Sequence, residues 1–230
     1  MNDLTLDQAT EIGNLRNTDR RPALARENKW VKGVATWCLE VGLRPNHVSI
    51  LGMGFAVLSA ACLLLAPGEN HRWGSAMLAT AAAFIPMRGL CNICDGLMAI
   101  EGGLKTKSGQ VFNDLPDRFS DLLLLVAAGY STGSIGWGCE LGWAAGVMAV
   151  MTAYVRVLGG SSGAAQQFCG PMDKTRRMTV MAVACLLAAV ELALDWPGHA
   201  IPLALWMVIV GCAATITRRT YRIVKELESR

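Results

Sequence analysis

The sequence predicts an all-α integral membrane protein with six transmembrane helices, preceded by an amphipathic helix on the cytoplasmic face. Three observations lead to this fold class. Hydrophobic residues make up 53% of the 230 residues. The apolar stretches are close to the roughly 20 residues that a helix needs to cross a bilayer. Glycine- and proline-containing turns separate these stretches, and basic residues gather in alternate connections.

The chain divides into a polar part, residues 1–45, and an apolar part, residues 46–230. Residues 1–19 are expected to form an extended arm. Residues 22–41 place apolar side chains such as Trp30 and Trp37 at helical spacing among basic ones, which predicts an amphipathic helix on the membrane surface. An ordinary helix facing water is the alternative.

Residues 46–230 are predicted to form one six-span domain with a cytoplasmic C-terminal tail. The predicted spans are 48–66, 74–100, 109–131, 139–159, 177–194 and 201–217. The connections on one side of the predicted bundle are rich in lysine and arginine. The connections on the opposite side contain only one such residue, Arg72. Since basic connections stay in the cytoplasm, both termini are expected to be cytoplasmic.

A polar stretch, residues 91–121, interrupts this apolar pattern. Asn92 and Asp95 are three residues apart and share one helix face, while Asn113, Asp117 and Asp121 recur every four residues and share another. Ionised carboxylates are costly near a bilayer unless they pair or bind a cation. Two oxygen-rich faces without histidine favour a hard divalent ion, Mg²⁺ (or Mn²⁺), that can also hold phosphates.

The same stretch reads N-x-x-D-G-x-x-A-I, then eight residues, then G-x-x-x-N-x-x-x-D. It resembles the signature of the CDP-alcohol phosphotransferases, which is D-x-x-D-G-x-x-A-R, eight residues, G-x-x-x-D-x-x-x-D. The positions that match are Asp95, Gly96, Ala99, Gly109 and Asp117. The departures are Asn92, Asn113 and Ile100. An asparagine keeps one carbonyl oxygen for a metal but lacks the charge, so this chain resembles a variant subgroup.

The resemblance implies roles for the acidic residues. Asp95 is the central metal ligand, and Asn92, Asn113, Asp114 and Asp117 are the further candidates for the metal site. Asp117 corresponds to the residue that accepts the proton of the attacking hydroxyl. If the register is displaced by one turn, Asp117 becomes a ligand and Asp121 becomes the base.

The resemblance also implies a nucleotide site. Asn46 and Ser49 match a T-P-N-x-x-T segment that opens the first span in this family, although Asn46 as a simple helix cap explains the pattern equally well. Gly96, Ala99 and Gly109 complete the nucleotide-binding set, because small residues let a ligand approach a helix closely.

Basic residues after the fourth predicted span resemble the acceptor-phosphate site of the family. Arg156 and Lys174 correspond by position, and Arg177 is a weaker addition. Charges that flank spans or bind lipid headgroups are the alternative. Arg88 and Arg118 are interpreted as counter-ions of the carboxylates, and Arg88 as a possible replacement for the arginine missing at Ile100.

The implied activity is transfer of a phosphatidyl group from CDP-diacylglycerol to an alcohol, with release of CMP. The basic residues favour a phosphorylated polyol as acceptor, such as glycerol 3-phosphate or an inositol phosphate. The resemblance implies a homodimer among membrane lipids, and the short six-span plan is typical of a bacterial cell (inner) membrane; no nucleic-acid partner is expected. Two alternatives stay open: an inactive relative that binds lipid or assists assembly, and a cation-coupled transporter.

Overall fold

The structure, a computed structural model, describes residues 29–68, 70–103, 109–133 and 136–229, and all regular secondary structure in these ranges is helical. Long apolar stretches without interior breaks favour helices, and glycines or prolines lie in the connections between them. In chain order the helices are α1 Lys29–Glu40, α2 Pro45–Leu65, α3 His71–Glu101, α4 Gly109–Ser131, α5 Gly138–Ser161, α6 Lys174–Ala193 and α7 Ala200–Glu228.

Four of the described helices support the predicted integral membrane character. By length and hydropathy α2, α3, α5 and α7 can each cross a bilayer. Helices α4 and α6 have 23 and 20 residues but carry charged side chains near their N-terminal ends, which lowers their hydropathy. They coincide with the predicted spans 109–131 and 177–194, and their crossing of the membrane stays a prediction.

Helix α1 is the described part of the predicted amphipathic helix, since residues 1–28 lie outside the described residues. Its buried face, which includes Val31 and Cys38, packs with Cys94 and Met98 of α3. The opposite face exposes Trp30 and Trp37. This division into two faces is what an interfacial helix requires, while its position at a membrane surface stays a prediction.

In the part of the chain that the structure describes, about half of the buried residues at the centre of the bundle are alanines, and the others are leucine, isoleucine, methionine, valine and cysteine. Small side chains let the backbones of membrane helices approach, so that dispersion forces and short hydrogen bonds can join them. Ser59 of α2, for example, donates a hydrogen bond of 3.0 Å to the carbonyl oxygen of Ala81 in α3.

Helices α4 and α5 meet through glycines. A Cβ atom on Gly129 would lie 2.6 Å from the carbonyl oxygen of Gly138, and one on Gly142 would lie 2.9 Å from the Cα of Gly129. Both distances are below contact distance, so only glycine permits this crossing. The contact fixes α4, and therefore its acidic N-terminal half, relative to the rest of the bundle.

Helix α2 packs against both α3 and α4 and thereby holds these two acid-bearing helices at a defined separation. Pro116 lies within α4, and because it has no N–H it cannot donate the usual hydrogen bond to the carbonyl group four residues earlier. The next residue is Asp117. Polar side chains, described below, span the space between α3 and α4 at this level.

Candidate functional site

A small cavity lies between α2, α3 and α4. Its lining combines residues from the three helices: Ser49, Gly52, Met53, Arg88, Asn92, Asp95, Pro116, Asp117 and Ser120. Four residues predicted from the sequence, Ser49, Asn92, Asp95 and Asp117, are therefore brought together. Asp95 and Asp117, which are 22 residues apart in the chain, face one space.

Asp95 is 4% exposed and is held by one hydroxyl group. Its Oδ2 accepts a hydrogen bond of 2.6 Å from Oγ of Ser49, and Ser49 lies on the first turns of α2. Its Oδ1 is buried and has no hydrogen-bond partner among the described residues. A buried carboxylate oxygen without a partner is unfavourable, so this atom marks a position where a cation or a donor group would stabilise the site.

Asp117 contacts several donors. Nη2 of Arg88 lies 3.1 Å from its Oδ1, and Nδ2 of Asn92 lies 3.2 Å from Oδ1 and 3.3 Å from Oδ2. Nζ of Lys174, the first residue of α6, donates to Oδ2. Nη2 of Arg118 is 4.0 Å from the same oxygen. Asp117 is therefore neutralised by neighbouring cations, in contrast to Asp95.

Asp121 lies one turn further along α4 and is 1% exposed. Its Oδ1 is 3.1 Å from Nη2 of Arg88, and Nη2 of Arg177 donates to its Oδ2. Arg177 is itself 1% exposed. The two residues form a buried ion pair beside the cavity lining. Removing one partner of such a pair destabilises the protein, because the remaining buried charge is uncompensated.

Asp114 and Arg156 form a separate pair at the N-terminal end of α4. Nη2 of Arg156 lies 3.3 Å from both carboxylate oxygens of Asp114. The guanidinium group also lies over the ring of Phe168, 5.4 Å from its centroid, in a cation–π contact. Asp114, a predicted metal ligand, is therefore engaged with a predicted acceptor-binding residue.

The other predicted nucleotide-binding residues surround this region without lining the cavity. Asn46, Gly96, Ala99 and Gly109 are half-buried. The side chain of Asn113 lies outside what the structure describes. The roles assigned to these five residues stay predictions.

The alternative interpretation of Asn46 as a helix cap is wrong. Helix α2 begins at Pro45, and Arg44 occupies the N-cap position. Proline suits the first position of a helix because the missing N–H would have no partner there. The backbone N–H of Arg44 is 3.4 Å from Nδ1 of His47, which contributes to this helix start.

The residues present partly suit a divalent cation. No group of three Asp, Glu, His or Cys side chains converges within the part of the chain that the structure describes. The unpartnered Oδ1 of Asp95, the carboxylate of Asp117 and the amide oxygen of Asn92 nevertheless form a set of hard oxygen ligands around one cavity. Asp95 has one oxygen without a partner among the described residues, whereas both oxygens of Asp117 already accept hydrogen bonds.

Several cavity residues were not identified from the sequence: Gly52, Met53, Pro116 and Ser120. Helical spacing could have indicated two of them, since Gly52 follows Ser49 by three residues and Ser120 follows Asp117 by three. A Cβ atom on Gly52 would lie 3.1 Å from Cβ of Cys91, so α2 and α3 approach closely beside the cavity. The counter-ion interpretation of Arg88 agrees with its contacts to Asp117 and Asp121.

The chain is similar to three curated proteins. It is 27% identical over 186 residues to an uncharacterized protein of Aquifex aeolicus, covering 80% of this chain and 84% of that one. It is 24% identical over 199 residues to a phosphatidylinositol phosphate synthase of Streptomyces avermitilis, covering 84% and 77%. It is also 24% identical over 206 residues to the phosphatidylinositol phosphate synthase of Mycolicibacterium smegmatis, covering 85% and 84%. No family model matches the chain.

Solved structures of Mycobacterium tuberculosis phosphatidylinositol phosphate synthase share this fold. The structure with CDP-DAG bound has a TM-score of 0.68 at 22% sequence identity, covering 85% of this chain and 94% of that one. The structure in complex with manganese and citrate has a TM-score of 0.66 at 22% identity, covering 84% and 88%. Most of this chain therefore follows the same architecture.

Proposed function

We propose that this chain is a membrane enzyme of the CDP-alcohol phosphotransferase family. It transfers a phosphatidyl group from CDP-diacylglycerol to an alcohol and releases CMP. The observation that carries the proposal is the convergence of Asp95 and Asp117 on one cavity, in a fold shared with a phosphatidylinositol phosphate synthase. The site faces the cytoplasm, where cytidine nucleotides are present, and both termini lie on that side.

In the proposed reaction, the acceptor hydroxyl oxygen attacks the phosphorus atom that carries the diacylglycerol. A new P–O bond forms, the P–O bond to CMP breaks, and CMP leaves with the bonding electron pair. Asp117 accepts the proton of the hydroxyl and later passes it to solvent. Its place on the cavity lining favours Asp117 over Asp121 in this role, because Asp121 is fully buried between two arginines.

Asp95 and Asn92 would hold the divalent cation, Mg²⁺ or Mn²⁺, and Asn113 is proposed as a further ligand. When bound, such an ion neutralises the charge that develops on the diphosphate oxygens of a leaving nucleotide. Ser49 orients Asp95 through its 2.6 Å hydrogen bond. Asn46, Gly96, Ala99 and Gly109 are proposed to bind the nucleotide. The solved M. tuberculosis enzyme in complex with manganese is consistent with a divalent ion in this fold.

The proposed acceptor is a phosphorylated polyol, and the two curated synthases make an inositol phosphate the first choice. Lys174 and Arg156 supply positive charge near α4, with side chains that are 15% and 17% exposed. A phosphate group accepts hydrogen bonds from both kinds of side chain. The guanidinium group of Arg177 is buried against Asp121. We therefore propose that Arg177 stabilises the site through this ion pair and does not contact the acceptor phosphate.

One observation favours an inactive relative as the second candidate. Asn92 directs its amide nitrogen to Asp117, at 3.2 Å and 3.3 Å, where the family signature has a second carboxylate. Together with Lys174 and Arg88 it fills the positions around Asp117 that a cation would use. A lipid-binding protein without turnover would have the same contacts. A transporter is disfavoured because α3 and α4 run through the acidic residues as continuous helices.

The test is CMP release by the purified full-length protein. The protein is incubated with CDP-diacylglycerol, Mg²⁺ or Mn²⁺, and one acceptor at a time, including inositol 1-phosphate, glycerol 3-phosphate and their unphosphorylated polyols. We expect release of CMP with a phosphorylated polyol and loss of that release in Asp117→Asn. A matched control is Asp195→Asn, whose exposed carboxylate pairs with His71 at the far end of the bundle.

The alternatives predict different results. An inactive relative releases no CMP with any acceptor although it binds CDP-diacylglycerol. A transporter moves cations into vesicles in the absence of CDP-diacylglycerol. Cross-linking or mass measurement in lipid discs tests the proposed homodimer separately from the reaction.

A further inference from the structure

The residue proposed to accept the proton, Asp117, already accepts hydrogen bonds from two cations, while a third, Arg118, lies 4.0 Å from its Oδ2. Nη2 of Arg88 lies 3.1 Å from Oδ1, and Nζ of Lys174 donates to Oδ2. A carboxylate paired in this way is a poor proton acceptor and a poor metal ligand, because both roles use the same lone pairs. At least one of these contacts must open before Asp117 can take part in chemistry.

The two cations differ in how firmly they are held. Arg88 is 2% exposed and also contacts Asp121 and the backbone carbonyl of Asp117, at 3.1 Å and 3.2 Å. Its departure would leave two buried carboxylates without their counter-ion. Lys174 has a side chain that is 15% exposed, and among the described residues its ammonium group donates a hydrogen bond to Asp117 and to no other side chain. Its ammonium group ends a flexible four-carbon chain, so it can rotate away at lower cost.

We propose that Lys174 is an exchangeable counter-ion that couples acceptor binding to the release of Asp117. Without acceptor, its ammonium group neutralises Asp117. An acceptor phosphate draws the ammonium group away, which frees Oδ2 for the proton of the hydroxyl or for a divalent cation. This inference rests on the proposed function and makes Lys174 a positioning residue, in addition to its proposed contact with the phosphate.

Because of the charges around the cavity, movement of the Lys174 ammonium group would change how tightly the site binds a divalent cation. Three acidic side chains, Asp95, Asp117 and Asp121, face four basic ones, Arg88, Arg118, Lys174 and Arg177. When one positive charge moves from Asp117 to a phosphate, the electrostatic potential near Asp95 and Asp117 becomes more negative. A divalent cation is then bound more tightly. By thermodynamic reciprocity, the divalent cation must also tighten binding of the acceptor phosphate.

The experiment measures Mn²⁺ binding to the full-length protein in lipid discs, from the electron paramagnetic resonance signal of free Mn²⁺. Each titration is made with inositol 1-phosphate, with inositol, or with neither, and a protein-free titration corrects for Mn²⁺ bound by the phosphate itself. In the unaltered protein we expect inositol 1-phosphate to tighten Mn²⁺ binding by about tenfold, within the usual range of coupling between two sites. Inositol should have no effect.

Substitution of Lys174 should remove the coupling. In Lys174→Met, Mn²⁺ is expected to bind about tenfold more tightly without any addition, and inositol 1-phosphate should add nothing further. Lys174→Arg keeps the charge and should retain the weaker binding. Arg176→Met is the matched control, because Arg176 is exposed on the same first turn of α6 and donates to the carbonyl oxygen of Pro171 instead of a carboxylate.

Unchanged Mn²⁺ affinity in Lys174→Met overturns the inference, as does an effect of inositol 1-phosphate that persists in this variant. Failure to bind Mn²⁺ under every condition overturns it as well. CMP release measured on the same preparations separates the two proposals. If release is intact while the coupling is absent, the role of Lys174 is wrong and the proposed function stands; if no acceptor supports release, both are wrong.

Discussion

Asp95 and Asp121 are both buried acidic residues beside the same cavity, yet their surroundings are opposite. Asp121 is matched by two guanidinium groups, those of Arg88 and Arg177, and it is 1% exposed. Asp95 is matched by the hydroxyl group of Ser49, and its second oxygen is buried without a partner among the described residues. Both carboxylate oxygens of Asp121 therefore lie within ion-pair distance of an arginine, although its Oδ1 makes no hydrogen bond among the described residues. Oδ1 of Asp95 has neither an ion pair nor a hydrogen bond there, so it is the position that a bound cation or donor group would complete.

This difference separates residues that stabilise the bundle from residues that act on a ligand. A buried ion pair tolerates the loss of neither partner, because the remaining charge has no compensation. A carboxylate with an unmatched oxygen reduces stability in the free protein and gains a partner when a cation arrives. Asp117 lies between these extremes, since its neighbours include the fixed Arg88 and the more accessible Lys174.

The largest expected effect is on stability, at Asp121. We predict that Asp121→Asn lowers the free energy of unfolding by about 3–5 kcal/mol, because Arg177 and Arg88 lose a buried counter-ion. Thermal unfolding of the purified protein in detergent measures the change. Asp114→Asn is the matched control: its pair with Arg156 is more exposed, and such pairs contribute about 0–1 kcal/mol. Equal losses of stability in the two variants would contradict a stabilising role specific to the buried pair of Asp121.

The next effect is on turnover, at Asp95. We predict that Asp95→Asn reduces the rate of CMP release by about 10²–10³-fold, as expected when a group that stabilises transition-state charge is removed. Its thermal unfolding temperature should not fall, because the amide replaces a charge that forms no ion pair with any of the described residues. A loss of stability as large as that of Asp121→Asn would show that Asp95 is a structural residue instead.

The smallest of the three effects is at Ser49. Ser49→Ala removes the hydrogen bond to Asp95, and hydrogen bonds to charged groups contribute about 1.5–3 kcal/mol. We predict CMP release about tenfold lower, with most of it restored in Ser49→Thr. Ser59→Ala, on the same helix, removes a hydrogen bond to Ala81 away from the cavity. It should lower stability slightly and leave CMP release unchanged; equal loss of release in both alanine variants would contradict the role of Ser49.

Much of the fold follows from the sequence alone. Long apolar stretches dictate helices of membrane-spanning length, as α2, α3, α5 and α7 confirm. The spacing of Asn92 and Asp95, and of Asp117 and Asp121, places each pair on one helix face, because helical periodicity is a local property. The abundance of carboxylate and amide oxygens at the site can likewise be predicted from this one stretch of sequence.

Tertiary structure decided which of these acidic residues meets which cation. Nothing in the spacing of Asp117 and Asp121 distinguishes them, yet Arg177, 56 residues after Asp121 in the chain, neutralises Asp121, while Lys174 contacts Asp117. Arg156 is drawn to Asp114 in the same way, 42 residues apart. Charge pairing depends on the rotation and depth of neighbouring helices, and packing between small residues such as Gly129 and Gly142 sets these. The sequence determined which chemical groups the protein carries, and the packing of the helices determined which of them remain available to a ligand.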